Sequence, residues 1–383
     1  MNTPAHLTHL VVWWGLVFGL VFGAVGYRTN FCTMGSVSDI VNMGDWTRMR
    51  MWLLAIAVAI IGANVLQLKG DIDLSQSIYT APNFTWLAYI VGGLFFGMGM
   101  TLGSGCASKT MIRIGGGNLK SLVVFVFLGI SAYMTLTGVF AVWRVHYIEP
   151  FATTLSTDQD LPSMLAKATG MAPHTMQIAM TAIIGGGIAL FALAKKDFWQ
   201  FDNLLGGIVI GLMVVGAWYV SGHIGYSSED PNTLAPAFYG TNSGHMESLS
   251  YVAPTAYTLQ MLMLFSDGSE HLTLGISSLL GIILGSFLYA LVTRKFRVES
   301  FTSPSDLVSH MVGGIFMGFG GVTALGCTIG QGVSGFSTLS LGSIIAFLSI
   351  CTGAAIMMKI QYWWMMREDT STRASDVPQA RSA

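Results

Sequence analysis

Three of the four cysteines in this chain lie at points where an apolar segment ends. Cys106 and Cys327 close the same glycine-rich phrase, which occupies residues 92–106 and again 313–327, with seven of fifteen aligned positions identical and no gap. Cys32 follows another apolar segment, whereas Cys351 lies inside one. A thiol is a weak hydrogen-bond donor, and its large polarizable sulfur suits another sulfur atom better than a hard oxygen. The pattern therefore predicts a path for a solute that carries a terminal sulfur.

The spacing of the cysteines bears on other thiol chemistry. No two of them form the C-x-x-C pair that is typical of zinc sites and thioredoxin-type redox sites. Methionines such as Met357 and Met358 are adjacent, so they do not share a helix face as a Cu(I) relay requires. A membrane enzyme that exchanges electrons between cysteine pairs and a quinone or thiol, and a copper transporter, stay open as alternatives. We expect no enzyme activity, no cofactor and no metal site.

Composition indicates that the elements which position these thiols lie in a membrane. Of the 383 residues, 52% are hydrophobic and 10% are charged, whereas about 25% are charged in soluble domains; the mean hydropathy is +0.62. This composition excludes a soluble enzyme. The net charge of −1 and the lack of a basic cluster argue against nucleic-acid binding. Many of the 46 glycines lie inside apolar runs, where they allow close helix contacts or helix breaks.

The apolar stretches predict an all-α polytopic membrane protein with about nine transmembrane helices plus short re-entrant or broken helices. Each stretch is near the roughly 20 residues that a bilayer requires. The stretches fall at about 10–27, 51–67, 85–103, 119–143, 174–194, 203–220, 272–293, 307–325 and 338–360. Pieces at about 31–43 and 252–266 are too short or too polar to cross, so we predict that they are re-entrant or interfacial.

Basic residues orient this topology. Loops 146–172 and 223–250 carry mostly acidic charges, and residues 197–293 contain no Lys or Arg. The positive-inside rule then predicts an external N-terminus and a cytoplasmic C-terminus. The charges that define the cytoplasmic side are Arg48, Arg50, Lys195, Lys196, Arg294, Lys295 and Arg297.

The repeated phrase predicts two structural repeats of opposite orientation. A single joining helix, at 174–194, turns the second half of the chain over, which gives inverted-topology repeats. The expected division is a first repeat at 1–145, an external loop and linking helix at 146–202, a second repeat at 203–366, and a polar, disordered cytoplasmic tail at 367–383.

Paired interrupted helices are the best sequence indication of a transport site. Backbone N–H groups at a helix start favour anions, and irregular backbone at membrane depth is buried or lines a cavity. Arg28 would add a fixed charge that can fork onto an anion's oxygens, although Arg28 and Lys109 also suit interfacial anchors and Gln331 also suits bonding to the loop backbone. The predicted substrate-binding residues are Cys32, Cys106, Cys327, Arg28, Lys109, Gly105, Gly326 and Gln331.

Several motifs resemble the YeeE/YedE-type permeases. They are the segment from Arg28 to Asp39, the break Gly105-Cys106-Ala107-Ser108 with Arg113-Ile114-Gly115 after it, and Gly326-Cys327-Thr328-Ile329-Gly330 running to Ser340-Leu341-Gly342-Ser343. The resemblance covers about 10–145 and 203–360. It implies a permease that takes up thiosulfate or a similar sulfur-containing anion across the bacterial inner membrane. It further implies that Cys32, Cys106 and Cys327 exchange S–H hydrogen bonds with the substrate sulfur.

The resemblance also sets the expected partners and the open points. The partners are thiosulfate or a related small anion, the lipid bilayer, and a small cytoplasmic sulfur-carrier protein as a candidate. Because the family includes a branch linked to selenium metabolism, another sulfur or selenium species stays an alternative substrate. Lys109 departs from the family pattern, which usually has a small residue at this position.

Overall fold

The regular secondary structure of the protein is almost entirely helical in a computed structural model that describes residues 3–231, 233–266 and 271–375. The first half contains α1 (Pro4–Arg28), α2 (Thr33–Met43), α3 (Thr47–Lys69), α4 (Trp86–Leu102), α5 (Ala107–Gly115), α6 (Leu119–Leu136) and α7 (Val139–Trp143). The middle contains α8 (Leu161–Thr169), α9 (Pro173–Met180) and α10 (Gly186–Leu193). The second half contains α11 (Phe201–Tyr219), α12 (Ala253–Met263), α13 (Leu274–Val292), α14 (Pro304–Thr323) and α15 (Leu341–Ser375).

Shorter elements complete the chain. One-turn π-helical segments occupy Arg144–Ile148, Thr181–Gly185, Val220–Ile224 and Gly330–Gly335, and 3₁₀ turns occupy Leu74–Gln76, Glu149–Phe151 and Lys196–Phe198. Two antiparallel pairs of two-residue strands join loops: β1 (Asn83–Phe84) with β2 (Thr153–Thr154), and β3 (Tyr226–Ser227) with β4 (Ala237–Phe238). A single bridge from Ser77 to Met246 joins the loops around 70–85 and 225–251, and a single bridge from Asp160 to Ser340 joins loop 146–172 to the turn before α15.

Eight stretches of the described chain are helical, long and apolar enough to cross a membrane. They coincide with eight of the nine predicted crossings, and the protein is an all-α, multi-pass membrane protein. The ninth prediction, 307–325, coincides with α14, which has 20 residues and carries Asp306 and His310 in its first two turns. The predicted re-entrant pieces at 31–43 and 252–266 correspond to α2 and α12, which have 11 residues each.

The glycines of the repeated phrase let α4 and α14 cross at backbone contact. A Cβ at Gly92 would lie 2.7 Å from the Gly320 carbonyl oxygen, and a Cβ at Gly99 would lie 2.7 Å from the Gly313 carbonyl oxygen. Gly92 aligns with Gly313 in the repeated phrase, and Gly99 aligns with Gly320. Replacing each glycine by its counterpart therefore turns the Gly92–Gly320 contact into the Gly313–Gly99 contact, as a two-fold arrangement of the two copies requires. Small residues at such a crossing are what close helix packing in membranes needs.

The same exchange holds for the helices around this crossing. Helix α1 packs against α13 while α11 packs against α3, and α4 packs against α15 while α14 packs against α6. This pattern is what inverted repeats would give. The division at 1–145 and 203–366 stays a prediction. Helix α15 continues to Ser375, so this part of the predicted disordered tail is helical, and residues 376–383 lie outside the described residues.

Candidate functional site

The three candidate cysteines share one local structure. Each lies two residues after a non-glycine residue in the left-handed region: Asn30 (φ 52°) precedes Cys32, Ser104 (φ 58°) precedes Cys106, and Leu325 (φ 58°) precedes Cys327. This conformation costs an L-residue roughly 1–2 kcal/mol, so the tertiary structure must maintain it. In each case the left-handed residue ends a long helix, and the cysteine precedes the first residue of the next one.

The two Gly-Cys breaks are capped by equivalent hydrogen bonds. The Gly105 N–H donates to the Met100 carbonyl at 2.8 Å, and the Gly326 N–H donates to the Gly321 carbonyl at 2.7 Å. The next helical segment then restarts from the cysteine carbonyl, which accepts from the N–H four residues later at 2.9 Å in the first copy and 2.7 Å in the second. The phrase therefore encodes a helix end, a reversal and a helix start at both places.

The three thiols come together in the interior. Cys32 is 5% exposed, and Cys106 and Cys327 are fully buried. The Cys32 thiol lies beside the Cys106 thiol, and Cys327 lies near Cys106 as well. The Ser108 hydroxyl lies 3.4 Å from the Cys106 sulfur, and the Thr328 hydroxyl approaches the same sulfur from the second break. Cys106 is therefore the centre of the cluster.

Backbone donors and helix starts surround these sulfurs. The Gly35 N–H donates to the Cys32 sulfur at 3.4 Å, and the Gly330 N–H donates to the Cys327 sulfur at 3.4 Å. Helices α2 and α5 and the helical segment 328–337 all begin at a cysteine, so their positive dipole ends point towards the cluster. Helix α12 occupies the place in the second half that α2 has in the first, but the residue directly before α12 is Val252 rather than a cysteine. Such an arrangement favours an anion even where no charged side chain is present.

Aromatic rings close one side of the cluster. Phe31, next to Cys32, stacks on Trp52 with ring centroids 4.5 Å apart, and Trp52 in turn stacks on Phe347 at 6.1 Å. Phe22 meets both Phe31 and Tyr251 edge to face. All of these rings are at most 6% exposed. A packed aromatic wall excludes water and strengthens the electrostatic interactions beside it.

A basic cavity of about 840 Å³ opens on one side of the thiols. Cys32 and Gly35 line it, and six cationic side chains surround them. Within the described residues Lys109 bonds only to Asn30 Oδ1 at 3.2 Å, and Arg113 bonds only to the Ser104 carbonyl at 2.6 Å. The lining cations are Arg28, Arg48, Lys109, Arg113, Lys295 and Arg297. We call the end of the molecule where this cavity opens the basic face.

A small cavity of about 230 Å³ lies on the other side of the thiols and opens towards the opposite face. Leu325 and Gly326, directly before Cys327, line it together with residues of loop 242–257. The Tyr79 side chain also lines it, and burial raises the pKa of this phenol above its usual value. The thiols therefore occupy the buried stretch between the basic cavity and the small cavity.

The structure places the other predicted site residues as follows. Arg28 lies at the rim of the basic cavity, where its Nε pairs with Asp202 Oδ1 at 2.8 Å and its guanidinium lies 5.2 Å from the Phe201 ring centre. Gln331 is fully buried and donates from Nε2 to the Ala324 carbonyl at the end of α14. Gly105 faces the Lys109 side chain. Cys351 is half-buried in α15, away from the breaks, and all four cysteines are free thiols.

Sequence reasoning missed several residues that the structure brings to this region. The hydroxyls of Thr33, Thr328 and Tyr251 are buried and lack a hydrogen-bond partner of good geometry among the described residues. Thr33 and Thr328 directly follow Cys32 and Cys327 in the chain, so their sequence positions could have indicated that they belong to the site. Arg48 holds Asp39 with two hydrogen bonds, at 2.7 and 3.1 Å, and its guanidinium lies over Gly35. Within the described residues no group of three or more His, Cys, Asp or Glu side chains could hold a metal ion.

Comparison with known proteins places this arrangement in a family. The chain is 28% identical over 342 residues to the thiosulfate transporter TsuA of Escherichia coli (strain K12), which covers 83% of this chain and 86% of the relative. It is 25% identical over 352 residues to the thiosulfate transporter TsuA of Spirochaeta thermophila, covering 90% and 97%. A probable transporter, YedE of Escherichia coli (strain K12), is 25% identical over 151 residues, covering 39% of this chain and 33% of the relative.

The family model described as sulphur transport matches residues 28–356. The matched residues include Cys32, both Gly-Cys breaks and nearly all of the helices that position them. The relatives bear the names of transporters, and this chain is a membrane protein. This multi-pass membrane protein belongs to the sulphur-transport family.

Proposed function

We propose that the protein is a permease that takes up thiosulfate, or a similar sulfur-containing anion, across the inner membrane of a bacterium. The basic face would be cytoplasmic, because Lys and Arg concentrate in the loops of that side. The N-terminus would then be external and the C-terminus cytoplasmic. The two halves would be inverted-topology repeats at 1–145 and 203–366, with the path running between them.

One observation carries this proposal. Three buried thiols, each at the start of a helical segment, meet between a cavity at each face. A structural cysteine would suit tight packing at any one of these positions. Three cysteines in the same local structure that converge from three breaks are better explained by a shared ligand.

The chemistry of the cluster suits an anion with one soft end and one hard end. Neutral thiols would share S–H···S contacts with a terminal sulfur and pass it from Cys327 to Cys106 and then to Cys32. Helix dipoles and the hydroxyls of Thr33 and Thr328 would face the oxygens. Weak donors at several successive positions hold a substrate firmly enough to admit it and loosely enough to release it.

The membrane potential sets a requirement on uptake. Moving a dianion inward against an inside-negative potential costs about 4.6 kcal/mol per 100 mV, from about 2.3 kcal/mol per charge. Coupling to protons would need a carboxylate that is free to titrate, and Asp39 and Asp306 are the carboxylates to consider. Asp39 pairs with Arg48, and Asp306 pairs with Lys120 at 2.6 Å and with His310 at 3.1 Å, so both carboxylates are occupied. We therefore propose a channel-like path that intracellular consumption keeps drained, with a small sulfur-carrier protein receiving the product at the basic face.

The test is uptake of labelled thiosulfate into proteoliposomes. We expect Cys32→Ala, Cys106→Ala and Cys327→Ala each to lower the uptake rate at least about tenfold, the equivalent of 1.4 kcal/mol. Cys351→Ala is the matched control, and it should leave the rate unchanged. Labelled sulfite, sulfate and selenite define the substrate class. Full uptake by the Cys106→Ala or Cys327→Ala protein would contradict the thiol path.

A further inference from the structure

The small cavity contains a cation that neither the repeats nor the thiol path explains. Arg144 reaches into it from the π-helical segment Arg144–Ile148, beyond α7. Among the described residues that line this cavity, Arg144 and Glu247 are the two with charged side chains. Leu325 and Gly326, which directly precede Cys327 in the chain, line the same cavity as Arg144.

The position of Arg144 runs against the charge of its own face. The surrounding loops there are rich in carboxylates, and the basic residues collect at the basic face. Its side chain is only 17% exposed, so it is not an anchor in the solvent. Burying a guanidinium costs hydration free energy, so the group needs an anionic partner whose hydrogen bonds offset that cost.

Glu149 does not fully supply that partner. The Arg144 Nε lies 3.3 Å from Glu149 Oε1, whereas charge-assisted N–H···O bonds are typically 2.7–2.9 Å. The Nε atom is buried without a hydrogen-bond partner of good geometry among the described residues. The guanidinium therefore retains donors in a fork that suits the oxygens of an oxyanion.

The size of the cavity limits the ligand. Its volume of about 230 Å³ is smaller than the roughly 300–1,000 Å³ of sites for drug-sized ligands. A small oxyanion with a few waters fits this space, and a nucleotide or peptide does not. Glu247 faces the same space, and its charge would keep the anion from binding Arg144 too tightly for onward movement.

We propose that Arg144 forms an outer binding subsite for the oxyanion end of the substrate. This inference rests on the proposed function and deepens it. Arg144 binds the oxygens, which turns the terminal sulfur of the anion towards Gly326 and Cys327. The subsite concentrates the anion at the mouth of the path, whereas the thiols conduct it.

The test compares Arg144→Gln with Lys167→Gln in reconstituted uptake. Lys167 is an exposed lysine of the same face and bonds only to the Ser156 carbonyl at 3.3 Å among the described residues. We expect Arg144→Gln to raise the KM for thiosulfate about tenfold or more, as for loss of one hydrogen bond to a charged group, with kcat within about twofold. Arg144→Lys should recover part of the affinity, because it keeps the charge without the fork. The Lys167→Gln protein should match the unaltered protein.

A binding measurement separates this inference from the proposed function. Thiosulfate should raise the melting temperature of the detergent-purified protein, and this shift should be lost in Arg144→Gln and kept in Cys106→Ala. If Arg144→Gln does not fold, Glu149→Gln replaces it and should lower the KM by releasing the guanidinium. An unchanged KM and an unchanged thiosulfate shift in Arg144→Gln would overturn the subsite. Failure of the unaltered protein to transport thiosulfate would instead overturn the proposed function, and the melting shift would still decide the subsite.

Discussion

The crossing of α4 and α14 positions both Gly-Cys breaks, and a single methyl group tests it. We predict that Gly99→Ala destabilises the protein and lowers uptake. A Cβ at this position would lie 2.6 Å from the Met317 nitrogen and 2.7 Å from the Gly313 carbonyl oxygen. These are backbone atoms of α14, so no side chain can rotate away to make room.

The magnitude follows from two opposing effects. Favourable contacts of carbon with other heavy atoms begin near 3.5 Å, so α4 and α14 must separate by up to about 0.9 Å or distort. Overpacking of this kind typically costs about 1–3 kcal/mol. Replacing a helical glycine by alanine returns about 0.5–1 kcal/mol. The difference between these two ranges is a net destabilisation of about 0–2.5 kcal/mol, centred near 1 kcal/mol.

Gly187 in α10 is the matched control, because a Cβ there would have no atom within 4 Å. Gly187→Ala should retain only the favourable term and stabilise the protein slightly. Thermal unfolding of the purified variants in one detergent shows whether each substitution raises or lowers the melting temperature. Uptake into proteoliposomes measures the effect on transport.

A second comparison tests the exchange between the halves. Gly320→Ala, at the position equivalent to Gly99, should destabilise the protein by a similar amount, since its Cβ would meet the Gly92 carbonyl oxygen at 2.5 Å. The backbone contact between α4 and α14 would be refuted if Gly99→Ala raised the melting temperature as Gly187→Ala is expected to do.

Three further predictions concern the site. Thr328→Val keeps the side-chain shape and removes a buried hydroxyl that has no partner of good geometry among the described residues. Uptake should fall several-fold while the melting temperature stays unchanged or rises, and a matching loss of stability would contradict a role in transport. Gln331→Leu leaves the Ala324 carbonyl without its donor, so stability should fall by about 1–3 kcal/mol in a thermal unfolding assay, and an unchanged melting temperature would show that the bond is dispensable. Burial raises the pKa of Glu247, although the carboxylate accepts a hydrogen bond from the Ser243 N–H. When the external pH is lowered from 7, Glu247 is therefore protonated at a higher pH than an exposed glutamate would be. The loss of its negative charge should lower the KM for thiosulfate. Glu247→Gln should remove this pH dependence of KM, and a KM that rises on acidification would reverse the assigned sign.

Much of the fold follows from local properties of the sequence. Apolar runs near the bilayer thickness predict helices whatever their neighbours are, and the predicted pieces at 31–43 and 252–266 correspond to Thr33–Met43 and Ala253–Met263. The repeated phrase also predicted that Cys106 and Cys327 end interrupted helices. The hydrogen bonds that cap each break join residues within a few positions of each other, so the position of the break is encoded locally in each copy.

The contacts of the site did not follow from the sequence. Nothing near Cys32 in the chain indicates that its thiol meets that of Cys106, or that the Thr328 hydroxyl approaches the same sulfur. Arg144 lies between the predicted crossing at 119–143 and the predicted external loop at 146–172, and the sequence indicated no role for it.

The physical reason is the range of the forces involved. Helix formation, breaks and burial in lipid depend on residues within one or two turns, so the sequence by itself determined the class, the helices and the positions of the thiols along the chain. The meeting of those thiols depends on how α4 and α14 cross at Gly92, Gly99, Gly313 and Gly320. Only the tertiary structure decided this, because it joins residues more than 200 positions apart.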